Sequence, residues 1–260
     1  MLKKTLLKSL VELTGNPISS TILKSFTKSP LSRPLIGPFS KIYGIDTQEM
    51  KYPISHYKNL HSFFTRSLKE NVRPIDPSPN TLISPVDAVI SDFGRVSSDY
   101  TFSIKNRPYS VNDIFGDVKK ADRYKDGYFY VLYLSPSHYH RIHYPVDGTL
   151  VSRYALGEKS FPVNNLGMRY GNNPLSTNYR IISELSTRFG RVAVVKVGAL
   201  NINSIQLYHS SETCLKGEEL GYFSFGSTVV LFIDKNDSFQ SKIHTDSEVK
   251  VGESIGEWNR

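Results

Sequence analysis

The spacing of apolar residues changes along the chain from a helical period to short runs. In the first segment the apolar positions share one face of a helix, at Leu2, Leu6, Leu10 and Leu13. Lysines lie mostly opposite, and Gly15-Asn16-Pro17 ends the pattern. A second helical pattern occupies residues 18–28 before prolines interrupt the chain. The N-terminal region therefore predicts short amphipathic helices.

Two capping signals follow this region. Asp46-Thr47-Gln48-Glu49 has the form of a capping box, which predicts the start of a helix. Asn59 is suited to cap another helix that would contain Phe63, Phe64 and Leu68.

From about residue 80 the apolar residues form short runs bounded by Gly, Pro, Asn and Asp, which is typical of strands. The predicted strands cover residues 81–83, 89–93, 127–134, 149–154, 179–185 and 191–197. The run 229–233 is continuously apolar, so we expect a central strand with both faces buried.

Composition agrees with a β-rich fold, since aromatic residues, which favour strands, make up 12% of the chain. Gly217-Glu218-Glu219-Leu220-Gly221 recurs in similar form as Gly252-Glu253-Ser254-Ile255-Gly256, which we interpret as one hairpin turn chemistry used twice. A length of 260 residues suits one core with a small helical appendage. We predict an α+β fold, in which short N-terminal amphipathic helices precede a mainly antiparallel, β-sandwich-like domain.

Positive charge is concentrated near the N-terminus. The net charge is +8, and residues 1–60 hold nine Lys and Arg residues against three acidic ones. Short basic amphipathic helices are typical of segments that lie on anionic lipid. Helices that cap the core or mediate dimer contacts are the alternative interpretation. No recognised nucleic-acid motif accompanies the charge, so no nucleic-acid partner is predicted.

The sequence also bears on location. No run of about 18 apolar residues occurs, so no membrane-spanning helix is expected. Lys3, Lys4, Lys8 and Glu12 interrupt the first apolar residues and argue against a secretory signal. Cys214 is the single cysteine, which excludes an internal disulfide and suits a reducing compartment.

The Gly226-Ser227 bond, just before the apolar run 229–233, is a candidate for self-cleavage. A serine hydroxyl can attack the preceding carbonyl, and glycine leaves that approach open. Elimination from the resulting ester, followed by hydrolysis, would leave a pyruvoyl group, whose carbonyl can replace pyridoxal phosphate. Gly-Ser-Thr before a strand usually forms only a turn, so this chemistry needs support from other residues.

Three of the seven histidines provide that support, since His138, His140 and His143 lie in one short segment. Asp87, His143 and Ser227 follow one another along the chain in the order carboxylate, imidazole and hydroxyl. A carboxylate that orients an imidazole, and an imidazole that takes the hydroxyl proton, are what a serine needs to act as a nucleophile. Asp147, in the turn sequence Asp147-Gly148, competes with Asp87 as the histidine partner.

Other functions use the same residues. The three histidines have spacings that can bind zinc, but no cysteine or glutamate nearby in the sequence completes a site, so no metal is predicted. A serine hydrolase could use Asp87, His143 and Ser227, although no G-x-S-x-G motif occurs. A non-catalytic lipid-binding module would keep the Gly226–Ser227 bond intact.

Several motifs in one order resemble the phosphatidylserine decarboxylase family, in its compact bacterial form, over essentially the whole chain. They are Phe63-Phe64-Thr65-Arg66, Arg73-Pro74-Ile75, Ser84-Pro85-Val86-Asp87, Tyr139-His140-Arg141-Ile142-His143, Val197-Gly198-Ala199, Gly217-Glu218-Glu219-Leu220-Gly221 and Gly226-Ser227-Thr228. Ala88 stands where the family usually has glycine, and Phe225 where it usually has leucine. Neither difference removes a reactive group.

The resemblance implies a role for each matching residue. Ser227 would cleave the chain into residues 1–226 and 227–260 and become the pyruvoyl cofactor. Asp87 and His143 would be its charge partner and general base, and His140 would serve the decarboxylation, by positioning the carboxylate or handling a proton. Phosphatidylserine would form an imine with the pyruvoyl group, lose carbon dioxide and leave as phosphatidylethanolamine.

The resemblance also implies an organisation. Residues 1–45 would form a membrane-associating segment and residues 46–260 the catalytic domain, peripheral to the cytoplasmic face of the cell membrane. The two fragments are expected to stay associated, while a homodimer is left open. The loop 161–165 resembles a family loop near the pocket, where Asn164 would bind the substrate carboxylate or phosphate; an ordinary loop is the alternative.

Overall fold

The computed structural model describes residues 17–104, 107–163, 168, 173–199, 204–208, 212–224 and 226–259. The helix expected over residues 2–13 lies outside these ranges, as do Asn164 and Phe225. The fold is α+β, as predicted, with short helices near the N-terminus followed by a β-rich region.

The described helices are short. They are α1 (Pro17–Lys28), α2 (Ile36–Tyr43), α3 (Leu60–Phe64), α4 (Val111–Phe115), α5 (Val118–Asp122) and α6 (Pro174–Thr177), with 3₁₀ turns at Pro30–Leu35 and Ile54–His56. None of these helices is long and apolar enough to cross a membrane.

The helix predicted to begin at Asp46 is wrong. The Asp46 side chain accepts a hydrogen bond from the N–H of Gln48 at 2.8 Å and so stabilises a local turn. Met50 then pairs with Leu68 in an isolated antiparallel β-bridge, which an α-helix over these residues would not allow.

The cap predicted at Asn59 is confirmed, because its side chain accepts from the N–H of Ser62 in a capping box. Helix α3 nevertheless ends at Phe64 and does not include Leu68. A small core joins α2, α3 and the segment between them, formed by Ile36, Phe39, Ile45, Met50, Tyr57, Leu60, Phe63 and Phe64. This cluster contains residues from both sides of position 45, so one small core spans the predicted domain boundary. The boundary at residue 45 stays a prediction.

The described strands are β1 (Thr81–Ile83), β2 (Ala88–Arg95), β3 (Thr101–Ile104), β4 (Arg107–Ser110), β5 (Tyr128–Leu134), β6 (Arg141–His143), β7 (Gly148–Leu156), β8 (Arg180–Thr187), β9 (Gly190–Gly198), β10 (Ile205–Leu207), β11 (Thr213–Cys214), β12 (Glu219–Phe223), β13 (Ser227–Ile233), β14 (Phe239–Ser241), β15 (Glu248–Val249) and β16 (Ser254–Trp258). All seven strands predicted from the sequence are present, as β1, β2, β5, β7, β8, β9 and β13.

The strands form layers around two cores. An eight-stranded antiparallel sheet has the order β11-β7-β8-β9-β13-β5-β2-β15. One core lies between this sheet and two three-stranded sheets, β1-β16-β14 and β10-β12-β6. The other core lies on the opposite face, beneath the β3–β4 hairpin and helices α4 and α5.

Strand β13 is central, as predicted. It pairs with β5 and β9 along its whole length. Val229, Leu231 and Ile233 face one core, while Val230 and Phe232 face the other. Both faces are therefore buried, which explains the continuous apolar run.

The repeated glycine turns differ from the prediction in one respect. Gly217 and Gly252 have φ values of 84° and 91°, a region that favours glycine, so the same turn chemistry is used twice. Neither turn is a hairpin, because each leads from the eight-stranded sheet into a three-stranded one. Both glycines lie close to the Ile75 side chain. A Cβ added at Gly217 would lie 2.7 Å from that side chain, and a Cβ added at Gly252 would lie 2.9 Å from it.

Candidate active site

His143, the last residue of β6, is held in one orientation by two main-chain groups. Its N–H donates to the carbonyl of Pro85 at 2.8 Å, and its Nδ1 lies 2.7 Å from the carbonyl oxygen of Gly217. Since a carbonyl oxygen only accepts, Nδ1 carries the proton and Nε2 presents a lone pair. Burial lowers the pKa of His143, opposed by the Gly217 hydrogen bond and by the charges of Glu219 and Asp87. The neutral imidazole is therefore the favoured form.

Asp87 is buried directly before β2, and the hydrogen bonds described for it are not to His143. Arg73 donates from Nε to Oδ1 at 2.9 Å and from Nη2 to Oδ2 at 2.6 Å. The N–H of Val251 donates to Oδ1 at 2.9 Å. The Gly217 carbonyl, not the Asp87 carboxylate, therefore fixes the tautomer of His143, and Asp87 acts on this histidine through its charge.

Asp147, the competing carboxylate, lies in an exposed turn. Its Oδ1 accepts a hydrogen bond from the N–H of Lys216 at 2.7 Å. Lys216 precedes Gly217, so Asp147 stabilises the turn whose carbonyl orients His143. The turn interpretation of Asp147 fits this geometry.

His140 is fully buried and has the same tautomer as His143. Its Nδ1 lies 2.9 Å from the carbonyl oxygen of His138, and its ring centroid lies 3.9 Å from that of Phe64. Burial holds the pKa of His140 well below its ordinary value, and the nearby Arg66 charge acts in the same direction. His138 is half-buried, and its Nδ1 accepts from the N–H of Ser135 at 3.1 Å.

Ser227 is the first residue of β13 and is fully buried. It lies opposite Leu134, the last residue of β5, which leads directly into the histidine segment. From the other side, the N–H of Phe223 donates to the carbonyl of His140 at 2.9 Å. Because only residues 224–226 separate Phe223 from Ser227, these two pairings bring the serine and His140 into one region.

Gly226 is loosely packed against the described residues. An added Cβ at this position would meet no described non-neighbouring atom within 4 Å. On this side Gly226 makes no close contact with the part of the chain that the structure describes.

Three buried polar atoms in this region lack a hydrogen-bond partner within the described part of the chain. They are Oγ of Ser227, Nε2 of His143 and Nε2 of His140. Leaving a buried polar atom unpaired costs about 1–3 kcal/mol, so each instance needs an explanation. All three atoms belong to residues that the sequence predicts as candidate catalytic groups.

Sequence reasoning missed the roles of Arg73, Gly217 and Phe64 in this region. All three belong to motifs that carry the family resemblance, and that membership was the available signal. A motif does not show which residue each of them contacts. Within the described ranges, no three His, Cys, Asp or Glu residues gather as a metal ion would require.

Comparison with known proteins first gives the class of the protein: it is an enzyme, a carboxy-lyase. The chain belongs to the phosphatidylserine decarboxylase family, whose profile matches residues 60–257.

Three relatives, each named phosphatidylserine decarboxylase proenzyme, are similar over their whole length. The protein from Halalkalibacterium halodurans is 47% identical over 259 residues, covering 100% of both chains. That from Geobacillus kaustophilus is 47% identical over 259 residues, covering 99% of this chain and 98% of the relative. That from Bacillus thuringiensis is 44% identical over 255 residues, covering 98% of this chain and 97% of the relative.

Proposed function

We propose that this chain is the proenzyme of a phosphatidylserine decarboxylase that cleaves itself between Gly226 and Ser227. One observation carries the proposal: the reactive atoms of Ser227, His143 and His140 are buried and lack partners among the described residues. Full-length similarity to proteins named as proenzymes agrees with it.

Self-cleavage would use the neutral form of His143. Its Nε2 and the Oγ of Ser227 are not hydrogen-bonded to each other in the uncleaved chain, so they must approach or be bridged by a water. Nε2 then takes the hydroxyl proton of Ser227, and Oγ attacks the carbonyl carbon of Gly226. The peptide nitrogen leaves with a proton, so an ester replaces the amide. Loss of the α-proton of residue 227 then expels the Gly226 carboxylate, and water converts the remaining dehydroalanine to a pyruvoyl group with release of ammonia.

The position of residue 227 fits a pyruvoyl group. It is fully buried, and β13 is paired with strands on both sides from the cleavage point onward. The group supplies an electron-withdrawing carbonyl that takes up the charge left when carbon dioxide departs. The surrounding strands hold it in place and exclude water.

His140 would handle a proton rather than bind the substrate carboxylate. Its Nε2 presents a lone pair, which repels a carboxylate but accepts a hydrogen bond from the substrate ammonium group. The Phe64 ring, 3.9 Å away between centroids, keeps this side apolar. An apolar surrounding disfavours the carboxylate charge and so assists its loss.

The N-terminal helices would place the enzyme on the cytoplasmic face of an anionic membrane. Ile22 is 65% exposed and Leu31 is 78% exposed, and Phe26 is also exposed. Lys24 and Lys28 lie between them along the chain. Exposed apolar side chains interspersed with lysines are typical of a segment that lies in a lipid interface.

Denaturing electrophoresis with mass spectrometry tests the proposal. We expect two chains, residues 1–226 and 227–260, and a hydrazine-reactive carbonyl at the start of the smaller one. Ser227→Ala should leave one intact chain. A single unbroken wild-type chain that turns over substrate would overturn the proposal, and sensitivity to chelators or serine reagents would then indicate a hydrolase. An unbroken chain with neither property would indicate a lipid-binding module.

A further inference from the structure

An open cleft of about 560 Å³ lies beside the proposed active site. Its lining includes Tyr52, His56, Lys58, Arg66 and Arg141. No acidic residue occurs among the described residues that line it. A cleft with cationic and no anionic walls attracts an anion.

Arg66 is the buried cation of this cleft. It is 4% exposed, and its Nη2 donates to the carbonyls of Ser137 at 2.9 Å and His138 at 3.2 Å. Its Nε and Nη1 are buried and have no partner in the described ranges. Burial lowers the pKa of Arg66 to about 10, so the group is still cationic at neutral pH.

Arg141 differs, because its Nη1 pairs with Glu219 at 2.7 Å. A buried guanidinium without such a carboxylate is costly unless another anion provides the charge. Asp87 and Glu49 act on Arg66 only through their charges, and no hydrogen bond to either is described for it. An anion in the cleft would add a direct partner.

Arg66, in the cleft lining, and His140 share one hydrogen-bond acceptor. The carbonyl oxygen of His138 accepts from Nη2 of Arg66 at 3.2 Å and from Nδ1 of His140 at 2.9 Å. In a serine phospholipid, one oxygen and one methylene separate the phosphorus from the carbon that bears the amine and carboxylate. A substrate whose amine reaches His140 thus has its phosphate within reach of the cleft.

We propose that this cleft binds the phosphodiester of the substrate headgroup, with Arg66 as the main ligand and Lys58 at the rim. This assignment rests on the proposed function. The carboxylate is a poorer occupant, because an arginine that binds it would stabilise the charge that decarboxylation removes. The phosphate keeps its charge throughout, so binding it favours substrate without opposing the reaction.

One wall residue also connects the cleft to α1, a helix of the proposed membrane-associating segment. Asn59, in its wall, donates from Nδ2 to the carbonyl of Lys28, the last residue of α1. A headgroup entering from a membrane beneath α1 would therefore reach Arg66 without crossing the sheet.

Titration of the full-length, processed protein with glycerophosphoethanolamine, which has no acyl chains, tests the assignment by calorimetry. Arg66→Gln should weaken binding about 10- to 100-fold, the effect of losing one or two hydrogen bonds to a charged group. Arg66→Lys should recover part of the loss, because it keeps the charge but not the planar donors. Ethanolamine, which lacks the phosphate, should bind equally to wild type and variants.

Two further variants separate binding from folding and from net charge. Lys58→Gln changes an exposed side chain and should weaken binding about two- to fivefold without affecting stability. Arg95→Gln removes the same charge elsewhere. Arg95 lies beside Tyr128, at the end of β5 that is far from the histidine segment, so this variant should bind glycerophosphoethanolamine like the wild type.

The outcomes are distinct. Equal binding of glycerophosphoethanolamine to wild type, Arg66→Gln and Lys58→Gln overturns the assignment. So does binding of inorganic phosphate, but not of the diester, in an Arg66-dependent manner, since free phosphate would then be the ligand. Failure of the proposed function would instead appear as an uncleaved wild-type chain on a denaturing gel. The same titration can be run on that uncleaved chain, so a failure of the phosphodiester assignment is measured separately.

Discussion

Replacing Leu231 by alanine tests how the two proposed fragments stay together after cleavage. Leu231 is fully buried in the middle of β13, opposite Tyr130 of β5 and Val194 of β9. Removing a leucine side chain from such a site costs about 2–5 kcal/mol, through lost burial and the cavity that remains. With a urea dependence of about 1–3 kcal/mol per molar, the midpoint for fragment separation should fall by about 2 M at the middle of both ranges, and by at least about 0.7 M.

The assay is size-exclusion chromatography of the cleaved protein across a urea series, with each fragment identified by mass. Wild-type fragments should elute together without denaturant, because β13 is hydrogen-bonded on both sides. Gln240→Ala, at an exposed position of β14 on the same fragment, is the matched control and should not shift the midpoint. Separation of wild-type fragments in plain buffer, or equal shifts for both variants, would refute the reasoning.

Three further predictions concern the site itself. His143→Gln should leave the chain uncleaved, whereas His140→Gln should be cleaved yet release no carbon dioxide; normal processing of His143→Gln on a denaturing gel would contradict its role as base. Asp87→Asn should destabilise folding towards the lower end of about 3–5 kcal/mol, because Arg73 loses one of its two carboxylate partners; an unchanged urea midpoint would argue against this pairing. Because burial lowers the pKa of His143 below 6.5, its ordinary value, self-cleavage should persist below pH 6.5. The unfolded chain binds this proton more readily than the folded chain, so the free energy of unfolding should fall as the pH drops from 6.5. A cleavage rate that is already halved above pH 6.5 would exclude the lowered pKa.

The amino-acid sequence by itself determined the strands, the fold class and the residues proposed for cleavage. Strand formation follows from local burial and turn residues, so β13 could be predicted as central from its uninterrupted apolar run. The serine and histidine predictions followed from side-chain chemistry and motif order, which do not depend on how the sheets stack. The turn at Asp46 escaped prediction because a capping sequence and a local turn use the same acceptor for different N–H groups.

Tertiary structure alone decided which groups meet. Nδ1 of His143 bonds to a carbonyl 74 positions away, and Asp87 is held by Arg73 instead of by this histidine. Such partners depend on the packing of the three-stranded sheets against the central one, and no local pattern records that packing. The same packing buries His140 and Arg66 away from water, and burial is the physical cause that lowers the pKa of each.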